Sequence, residues 1–391
     1  MERAELEAWL RLKLTAGVGD ATARRLLAAF GLPEQIFCQP RSSLRQLVTS
    51  EQADALALLP DGLTEAVQAT WNWLQDAPDG TSSGTVKAIL TLADSAYPAS
   101  LLAIDDPPLL LYLHGLPGLL DQVGARLTPA LAASIAIVGS RNPTPQGAAN
   151  ARQFAHTLGQ AGFAIVSGLA LGVDGAAHGG ALDAALPERL ATVAVVGTGL
   201  DRVYPRRHLE LARRIARQGL IVSEYAIGTP PLAANFPRRN RIIAALSQGT
   251  LVVEAALQSG SLITARLAAE QGKEVFAIPG SIHSPQSRGC HALIRQGAKL
   301  VESAQDILEE FKWPLTQAPL SAQVTDIHDR HQHPHEAALL QALGFDPVSL
   351  DALQARTGLA TADLQARLMA LELAGMVARL PGALFQRIAT A

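Results

Sequence analysis

A basic cluster marks the segment NFPRRNR, in which Arg238, Arg239 and Arg241 fall within four residues. Nine arginines and only three acidic residues lie between positions 201 and 241, although the whole chain has a net charge of −3. Guanidinium groups repel one another unless an anion neutralises them, and their planar fork matches the oxygens of phosphate. This density of arginines therefore indicates a surface for an extended polyanion.

Aromatic rings accompany the arginines. Tyr204 lies beside Arg206 and Arg207, and Phe236 precedes Arg238. Bases of any sequence stack on aromatic rings, whereas arginines neutralise the phosphates between them. The combination predicts a groove for single-stranded nucleic acid.

The three clustered arginines cannot all point the same way. In a helix that begins near Pro237, Arg238 and Arg241 are three residues apart and share a face, whereas Arg239 is turned about 100° away. We expect Arg238 and Arg241 to face phosphates, and Arg239 is placed to pair with a carboxylate.

Six short apolar runs alternate with amphipathic segments of helical length between about residues 89 and 311. This alternation is typical of a parallel sheet with crossover helices, so the sequence predicts an α/β fold with a doubly wound sheet. The runs are SIAIVGS, FAIVSG, TVAVVGTG, LIVSEY, GTLVVEA and EVFAIPG.

Ligands of such a sheet bind beyond the carboxyl ends of the strands, so the loops that follow the runs are expected to form the site. Backbone amides at glycine-rich turns before helices can converge on one anion. Three loops have this character: Gly139–Gly147, Ser167–Leu182 and Gly197–His208. Standard nucleotide templates fail, because GTGLDR has Arg202 in place of the third glycine and no GxxxxGK followed by Ser or Thr occurs. A dinucleotide enzyme and a P-loop ATPase are therefore disfavoured.

Composition and cysteine content bound the class of protein. The chain has 391 residues, 48% of them hydrophobic, which is enough for two or three domains with sizeable cores. No apolar run reaches transmembrane length and the N-terminal segment is charged throughout, so a cytoplasmic protein without membrane contact is expected. Cys38 and Cys290 form no CxxC pair, and we expect no disulfide framework, metal site or cofactor.

Changes in composition divide the chain into a small helical domain (1–75), an α/β domain (88–312), a flexible linker (313–335) and a winged-helix domain (336–391). The first domain contains LTAGVGDATARRLLAAFG, typical of a SAM-like or helix-hairpin-helix element whose amides hold phosphate; packing or protein contact fits it equally well. The last domain has four arginines against five acidic residues, which favours a protein-contact or regulatory role over binding to duplex DNA.

Linked segments across the α/β domain resemble the DprA/Smf family of DNA-processing proteins. The resemblance spans about residues 90–301 and is carried by residues 96–115, 136–147, 167–182, 197–208, 223–247 and 260–282. It implies an extended Rossmann-like fold that binds single-stranded DNA and forms a homodimer. It further implies that the protein protects incoming DNA and loads a RecA-type recombinase during natural transformation, without being an enzyme.

The resemblance also implies a DNA-binding pocket formed by Arg141, Ser167, Gly168 and the run FPRRNR. His208 and His291 depart from the family, which usually has Asn at both positions. With the basic and glycine-rich loops included, the candidate DNA-binding residues are Gly139, Ser140, Arg141, Ser167, Gly168, Arg206, Arg207, Phe236, Arg238, Arg239, Asn240, Arg241, Ser259, Gly260 and Ser261.

An enzyme on the same kind of fold is the alternative. The segment GTLVVEAALQSGSLITA (249–265) loosely resembles the glycine-rich loop of nucleotide phosphoribohydrolases, with Glu254 as the catalytic carboxylate. That chemistry expects a tight PGGxGT-like turn, which AALQS interrupts here. Glu254 and Asp174 can instead orient arginines or cap helices.

Overall fold

A computed structural model describes residues 1–76, 84–120, 127–186, 189–313, 334–345 and 347–388. Nearly all of the linker expected at 313–335 lies outside these ranges. None of the helices in the described parts of the chain is both long and apolar enough to span a lipid bilayer.

The centre of the structure is a nine-stranded sheet with the spatial order β1-β2-β6-β5-β4-β3-β7-β8-β9. Neighbours from β6 to β9 in this order are parallel, whereas β2 is antiparallel to both β1 and β6. All six predicted strands are present, as β3 to β8, and the expected α/β fold is confirmed. The strands are β1 (Val86–Thr91), β2 (Leu110–Gly115), β3 (Ser134–Val138), β4 (Ala164–Ser167), β5 (Thr192–Val195), β6 (Leu220–Ser223), β7 (Gly249–Val252), β8 (Glu274–Ala277) and β9 (Lys299–Leu300).

Helices cover both faces of this sheet, which explains why its strands read as unbroken apolar runs. In β3, Ile135 and Ile137 enter the core on one face, while Ala136 and Val138 enter the core on the other. The helices that follow β1 are α7 (Ala99–Leu102), α8 (Pro117–Leu120), α9 (Leu127–Leu131), α10 (Pro145–Gln160), α11 (Val173–Asp183), α12 (Leu209–Gln218), α13 (Asn235–Ala245), α14 (Ser261–Glu270), α15 (Arg288–Arg295) and α16 (Ala304–Glu310).

The N-terminal helices share a core with the antiparallel end of the sheet. Leu109, Leu110 and Tyr112 of the β2 segment are buried among helical residues, and the rings of Trp73 and Tyr112 meet edge to face with centroids 6.0 Å apart. The helices are α1 (Arg3–Leu14), α2 (Asp20–Phe30), α3 (Pro33–Phe37), α4 (Arg41–Leu44), α5 (Ser50–Leu56) and α6 (Leu63–Gln75). This region is therefore packed directly on the sheet.

The C-terminal region has its own small core, and the winged-helix prediction is confirmed. Leu353, Leu364 and Leu368 are fully buried within it. The wing is the β11–β12 hairpin, whose turn contains Gly382 at φ +84°, a conformation that favours glycine. The elements are α17 (Pro334–Leu343), β10 (Val348–Ser349), α18 (Leu350–Thr357), α19 (Thr361–Leu373), β11 (Val377–Leu380) and β12 (Leu384–Arg387).

The order of the strands reverses at β3. The chain moves outward from β3 through β4, β5 and β6, and then returns to place β7 on the other side of β3. The loops after β3 and β7 consequently diverge and leave a crevice between them, which is the usual ligand position in doubly wound sheets.

Candidate nucleic-acid interface

A cavity of about 800 Å³ lies in this crevice at the carboxyl ends of the strands. The loops after β3 and β7 and the first turns of α13 and α14 form its walls. Nine of the fifteen candidate residues line it: Gly139, Ser140, Arg141, Phe236, Arg239, Asn240, Ser259, Gly260 and Ser261.

The loop after β3 is held tightly against the loop after β7. The amide of Ser140 donates to the carbonyl oxygen of Glu254 at 2.7 Å, and the hydroxyl of Ser140 accepts from the amide of Asn142 at 3.1 Å. A Cβ at Gly139 would lie 2.8 Å from Val173 and 2.9 Å from the carbonyl oxygen of Glu254. Only glycine allows this close approach, and it leaves the exposed Arg141 at the mouth of the cavity.

Three flat groups form a continuous array on one wall. The ring centroids of Tyr204 and Phe236 are 5.6 Å apart, and the guanidinium carbon of Arg141 lies 5.6 Å from the centroid of Phe236. Tyr204 is 47% exposed. Unstacked bases can lie on rings and guanidinium planes of this kind.

The first turn of α14 forms the opposite wall. Ser259 and Ser261 share a hydrogen bond between their hydroxyls at 2.7 Å, and Asn240 donates from Nδ2 to the carbonyl oxygen of Gly260 at 3.2 Å. The first amides of α14 already have partners: Ser261 donates to the hydroxyl of Ser259 at 3.3 Å, and Leu262 and Ile263 donate to the carbonyl oxygens of Ser259 and Gly260. This wall therefore presents the two serine hydroxyls to the cavity, at the positive end of the helix dipole.

Arg239 forms the floor of the cavity. It is only 4% exposed and donates from Nη1 to the carbonyl oxygens of Gly168, at 2.6 Å, and Val195. Burial lowers the pKa of Arg239 to about 10, although the nearby carboxylate of Asp174 opposes that shift. Asp174 accepts from the amide of Gly168 at 3.0 Å, and burial raises its pKa. Arg239 therefore ties the ends of β4 and β5 to α13 beneath the cavity.

Ser167 and Gly168 lie below the cavity lining. Ser167 is fully buried and donates to the carbonyl oxygen of Ile137 at 2.7 Å. A Cβ on Gly168 would lie 2.5 Å from both terminal nitrogens of Arg239. In this structure the two residues fix β4 and leave room for Arg239.

Arg238 and Arg241 both approach Oδ2 of Asp106, but the expectation that Arg241 faces phosphates is wrong. The guanidinium of Arg241 donates to both carboxylate oxygens of Glu224, at 2.8 and 2.7 Å, and its Nε donates to the carbonyl oxygen of Asp106 at 2.9 Å. Its side chain is only 12% exposed. Burial alone would lower the pKa of Arg241, but the hydrogen-bonded carboxylate of Glu224 raises it. The guanidinium is therefore charged, and Glu224 already neutralises it.

The remaining basic candidates lie outside the cavity lining. Arg238 is 58% exposed, and Arg206 and Arg207 are exposed in a short 3₁₀ turn that follows Tyr204. Pro237 is tolerated in the first turn of α13 because its missing N–H has no partner there in any case. The solvent-facing positive charge thus continues from the cavity mouth onto the adjoining surface.

Glu254, the carboxylate of the enzymatic alternative, serves the start of α10. Its two oxygens accept from the amide of Thr144 at 2.9 Å and from the hydroxyl of Thr144 at 2.5 Å. Burial raises the pKa of Glu254, while these two hydrogen bonds oppose the rise. Glu254 is not among the residues that line the cavity in the described parts of the chain. The geometry matches the capping role that the sequence left open for this residue.

The two histidines that depart from the family pattern both lie against backbone carbonyls. Nδ1 of His208 is 3.0 Å from the oxygen of Leu169, and Nε2 of His291 is 3.0 Å from the oxygen of Gly280. An asparagine side-chain amide could supply a donor of the same kind at either position.

Sequence reasoning missed a set of amide side chains in the cavity wall. Asn142, Gln258 and Gln286 line it together with Asn240, and Gln286 donates from Nε2 to the carbonyl oxygen of Asn142 at 3.2 Å. Asn142 and Gln258 each lie in a loop that directly follows a strand. Both loops lie where the strand order reverses, which is the feature that could have identified these residues as part of the site.

Fold and site together define a Rossmann-like protein whose strand-end cavity is suited to an anion with planar groups. Residues 88–312 match the family model described as DNA recombination-mediator protein A, and residues 328–383 match that of the DprA winged helix domain. The chain therefore belongs to the DNA recombination-mediator protein A family, which confirms the resemblance to DprA/Smf proteins.

Two curated relatives and one solved structure illustrate this membership. Protein Smf of Escherichia coli (strain K12) is 43% identical over 295 residues, 74% of this chain and 75% of that protein. DNA processing protein DprA of Streptococcus pneumoniae is 45% identical over 223 residues, 57% of this chain and 74% of that protein. The X-ray structure of DprA from Streptococcus pneumoniae aligns with a TM-score of 0.62 at 33% identity, covering 79% of this chain and 98% of that one.

Proposed function

We propose that this protein binds single-stranded DNA in the strand-end cavity and along the basic surface beside it. The observation that carries the proposal is the array of Tyr204, Phe236 and Arg141, which offers three flat groups in series at the cavity mouth. Paired bases of a duplex are not free to stack on such an array, whereas bases of a single strand are.

Charge supports the same ligand. The exposed Arg206, Arg207 and Arg238 adjoin the cavity, and the N-terminal end of α14, with the hydroxyls of Ser259 and Ser261, faces it from the other side. Arginines outside the cavity suit the phosphates of a strand that continues beyond it, which a mononucleotide would not reach. Of the candidate residues, we assign phosphate contact to Arg206, Arg207 and Arg238. Phe236 and the guanidinium plane of Arg141 stack on bases together with Tyr204, and Arg141 can also donate to a neighbouring phosphate.

The biological setting follows from family membership and is likewise part of the proposal. We infer that the protein acts in the cytoplasm, forms a homodimer through the α/β region, protects incoming DNA and loads a RecA-type recombinase during natural transformation. Relatives that carry the name DNA processing protein support the part of this proposal that concerns DNA processing. Light scattering that gives a monomer mass at micromolar concentration would contradict the dimer. Failure to stimulate recombinase assembly on a single strand would contradict the loading role.

The division into domains at 1–75, 88–312 and 336–391 also remains a proposal. Because Leu109, Leu110 and Tyr112 are buried under the N-terminal helices, removing those helices would expose apolar surface on the sheet. Functional tests therefore use the full chain.

The direct test is an affinity measurement with three ligands at one salt concentration. The full-length protein should bind a single-stranded oligonucleotide more tightly than the matching duplex, and both more tightly than free nucleoside monophosphates. Equal or tighter binding of the duplex would contradict the proposal. Release of free base from nucleoside monophosphates, abolished in Glu254→Gln, would instead establish the phosphoribohydrolase alternative.

A further inference from the structure

Arg238, the exposed arginine of the basic cluster, lies between two carboxylates from other parts of the chain. Asp20, the first residue of α2, has Oδ2 3.7 Å from Nη2 of Arg238. Asp106, in the segment before β2, has Oδ2 3.8 Å from the same nitrogen. Both contacts are longer than hydrogen bonds, and the Arg238 side chain remains 58% exposed.

Each carboxylate uses its other oxygen for a much shorter bond. Oδ1 of Asp20 accepts from Nζ of Lys13 at 2.5 Å, and Oδ1 of Asp106 accepts from Nη1 of Arg24 at 2.7 Å. The side chain of Asp20 is only 8% exposed. The carboxylates are therefore held in place independently of Arg238, and they stay beside it when its guanidinium moves.

Asp106 carries its negative charge at neutral pH. Burial by itself would raise the pKa of Asp106, but its hydrogen bond from Arg24 and the charges of Arg241 and Arg238 lower it below the usual range. A phosphate that approaches Arg238 must therefore displace one anionic partner and tolerate another close by.

We propose that Asp20 and Asp106 limit the affinity of the basic surface for nucleic acid by competing with phosphate for Arg238. Through Asp20, the N-terminal helices take part in setting that affinity without contacting the strand themselves. This inference rests on the proposed single-strand binding. The sequence of this region is also typical of a hairpin whose amides hold phosphate. In this proposal α2 instead supplies a carboxylate that competes with phosphate.

The test compares Asp20→Asn with a variant that makes the same charge change elsewhere in the N-terminal helices. The side chain of Asp54 is 48% exposed and pairs with Arg41 and Arg45, so Asp54→Asn is the matched control. Asp20→Asn should tighten binding of a short single strand about three- to fivefold at low salt, and the gain should fade as salt screens the charges. Asp54→Asn should change the affinity by much less.

A second background tests the route through Arg238. In Arg238→Gln protein, Asp20→Asn should tighten binding no more than Asp54→Asn does. If the gain persists there, or if the two substitutions act alike in the wild-type background, the inference is overturned while single-strand binding stands. If the wild-type protein does not bind a single strand, the proposed function falls and this inference with it. The melting temperature of each variant is measured alongside the titrations. If Asp20→Asn lowers it, because Lys13 then lacks its carboxylate partner, the double variant Lys13→Met/Asp20→Asn takes its place.

Discussion

Arg241 and Glu224 form a two-bond ion pair in which the guanidinium of one faces the carboxylate of the other at 2.8 and 2.7 Å. Glu224 follows directly after β6, and Arg241 lies in α13, the helix that carries the basic cluster. The side chain of Glu224 is 3% exposed and that of Arg241 is 12% exposed. The pair fixes the rotation of α13 against the sheet, and that rotation directs Arg238 outward and Arg239 inward.

Glu224→Gln should therefore destabilise the protein strongly. The substitution removes the close anionic partner of the buried Arg241 guanidinium and leaves only the longer contact of its Nε with Oδ2 of Asp106, at 3.5 Å. Breaking a buried ion pair in this way costs about 3 to 5 kcal/mol. Chemical denaturation monitored by circular dichroism measures the loss. The matched control is Glu210→Gln, since Glu210 is 72% exposed and pairs only loosely with Arg213, at 3.5 Å; it should cost less than about 0.5 kcal/mol. Equal melting of the two variants would contradict the role assigned to the buried pair.

The positions of β3 to β8 could be predicted from the sequence, because each of these six strands is a short apolar run that is followed by glycine or polar residues. Both faces of β3 to β8 are covered, so burial leaves a continuous signal in every run. The two-residue β9 carries no such signal. The antiparallel direction of β2 depends on its pairing with β6, more than a hundred residues away.

The directions of the arginines could not be predicted, because their partners are distant in sequence. Helical spacing correctly turned Arg239 away from Arg238, but it did not predict that Arg239 is buried. The expected carboxylate is present as the nearby charge of Asp174, but the hydrogen bonds of Arg239 go to carbonyl oxygens. Helical spacing also could not place Glu224 opposite Arg241, which depends on how α13 packs against the end of β6.

Buried histidines should make the stability of the protein fall in mild acid. His178 is fully buried with Nδ1 2.7 Å from the hydroxyl of Thr192, and burial lowers its pKa to about 3. The unfolded chain binds a proton near the ordinary histidine pKa of about 6.5, so the folded state is fully favoured above that pH and loses stability as pH falls toward 3. The expected loss from His178 is about 1 kcal/mol between pH 7 and 5.5.

Urea denaturation at the two pH values measures this loss, with His178→Gln as the comparison. The variant should be less stable at pH 7 but should lose about 1 kcal/mol less on acidification, because it lacks the titrating group. The same pH dependence in both proteins would show that His178 does not contribute.

Arg238→Ala should weaken single-strand binding by about 1 kcal/mol and lower the slope of log affinity against log salt by about 0.7, since one phosphate contact is lost for every base sequence alike. Melting should change little, because the side chain is more than half exposed. Arg266→Ala is the matched control: Arg266 is 69% exposed and pairs with Glu270 along α14, outside the cavity lining. A salt titration that gives both variants the wild-type slope would remove Arg238 from the DNA surface.

Tyr204→Ala should weaken single-strand binding in a different way. A stacked base contributes about 1 to 3 kcal/mol and neutralises no phosphate, so affinity should fall while the salt slope stays at its wild-type value. Tyr204 is 47% exposed, and its removal should leave the melting temperature nearly unchanged. Phe236→Ala should lower both affinity and melting temperature, because Phe236 also packs against Gly197 beneath the array. Tyr204→Phe keeps the ring and should bind a single strand with wild-type affinity. If Tyr204→Phe loses as much affinity as Tyr204→Ala does, the hydroxyl is responsible and stacking is contradicted.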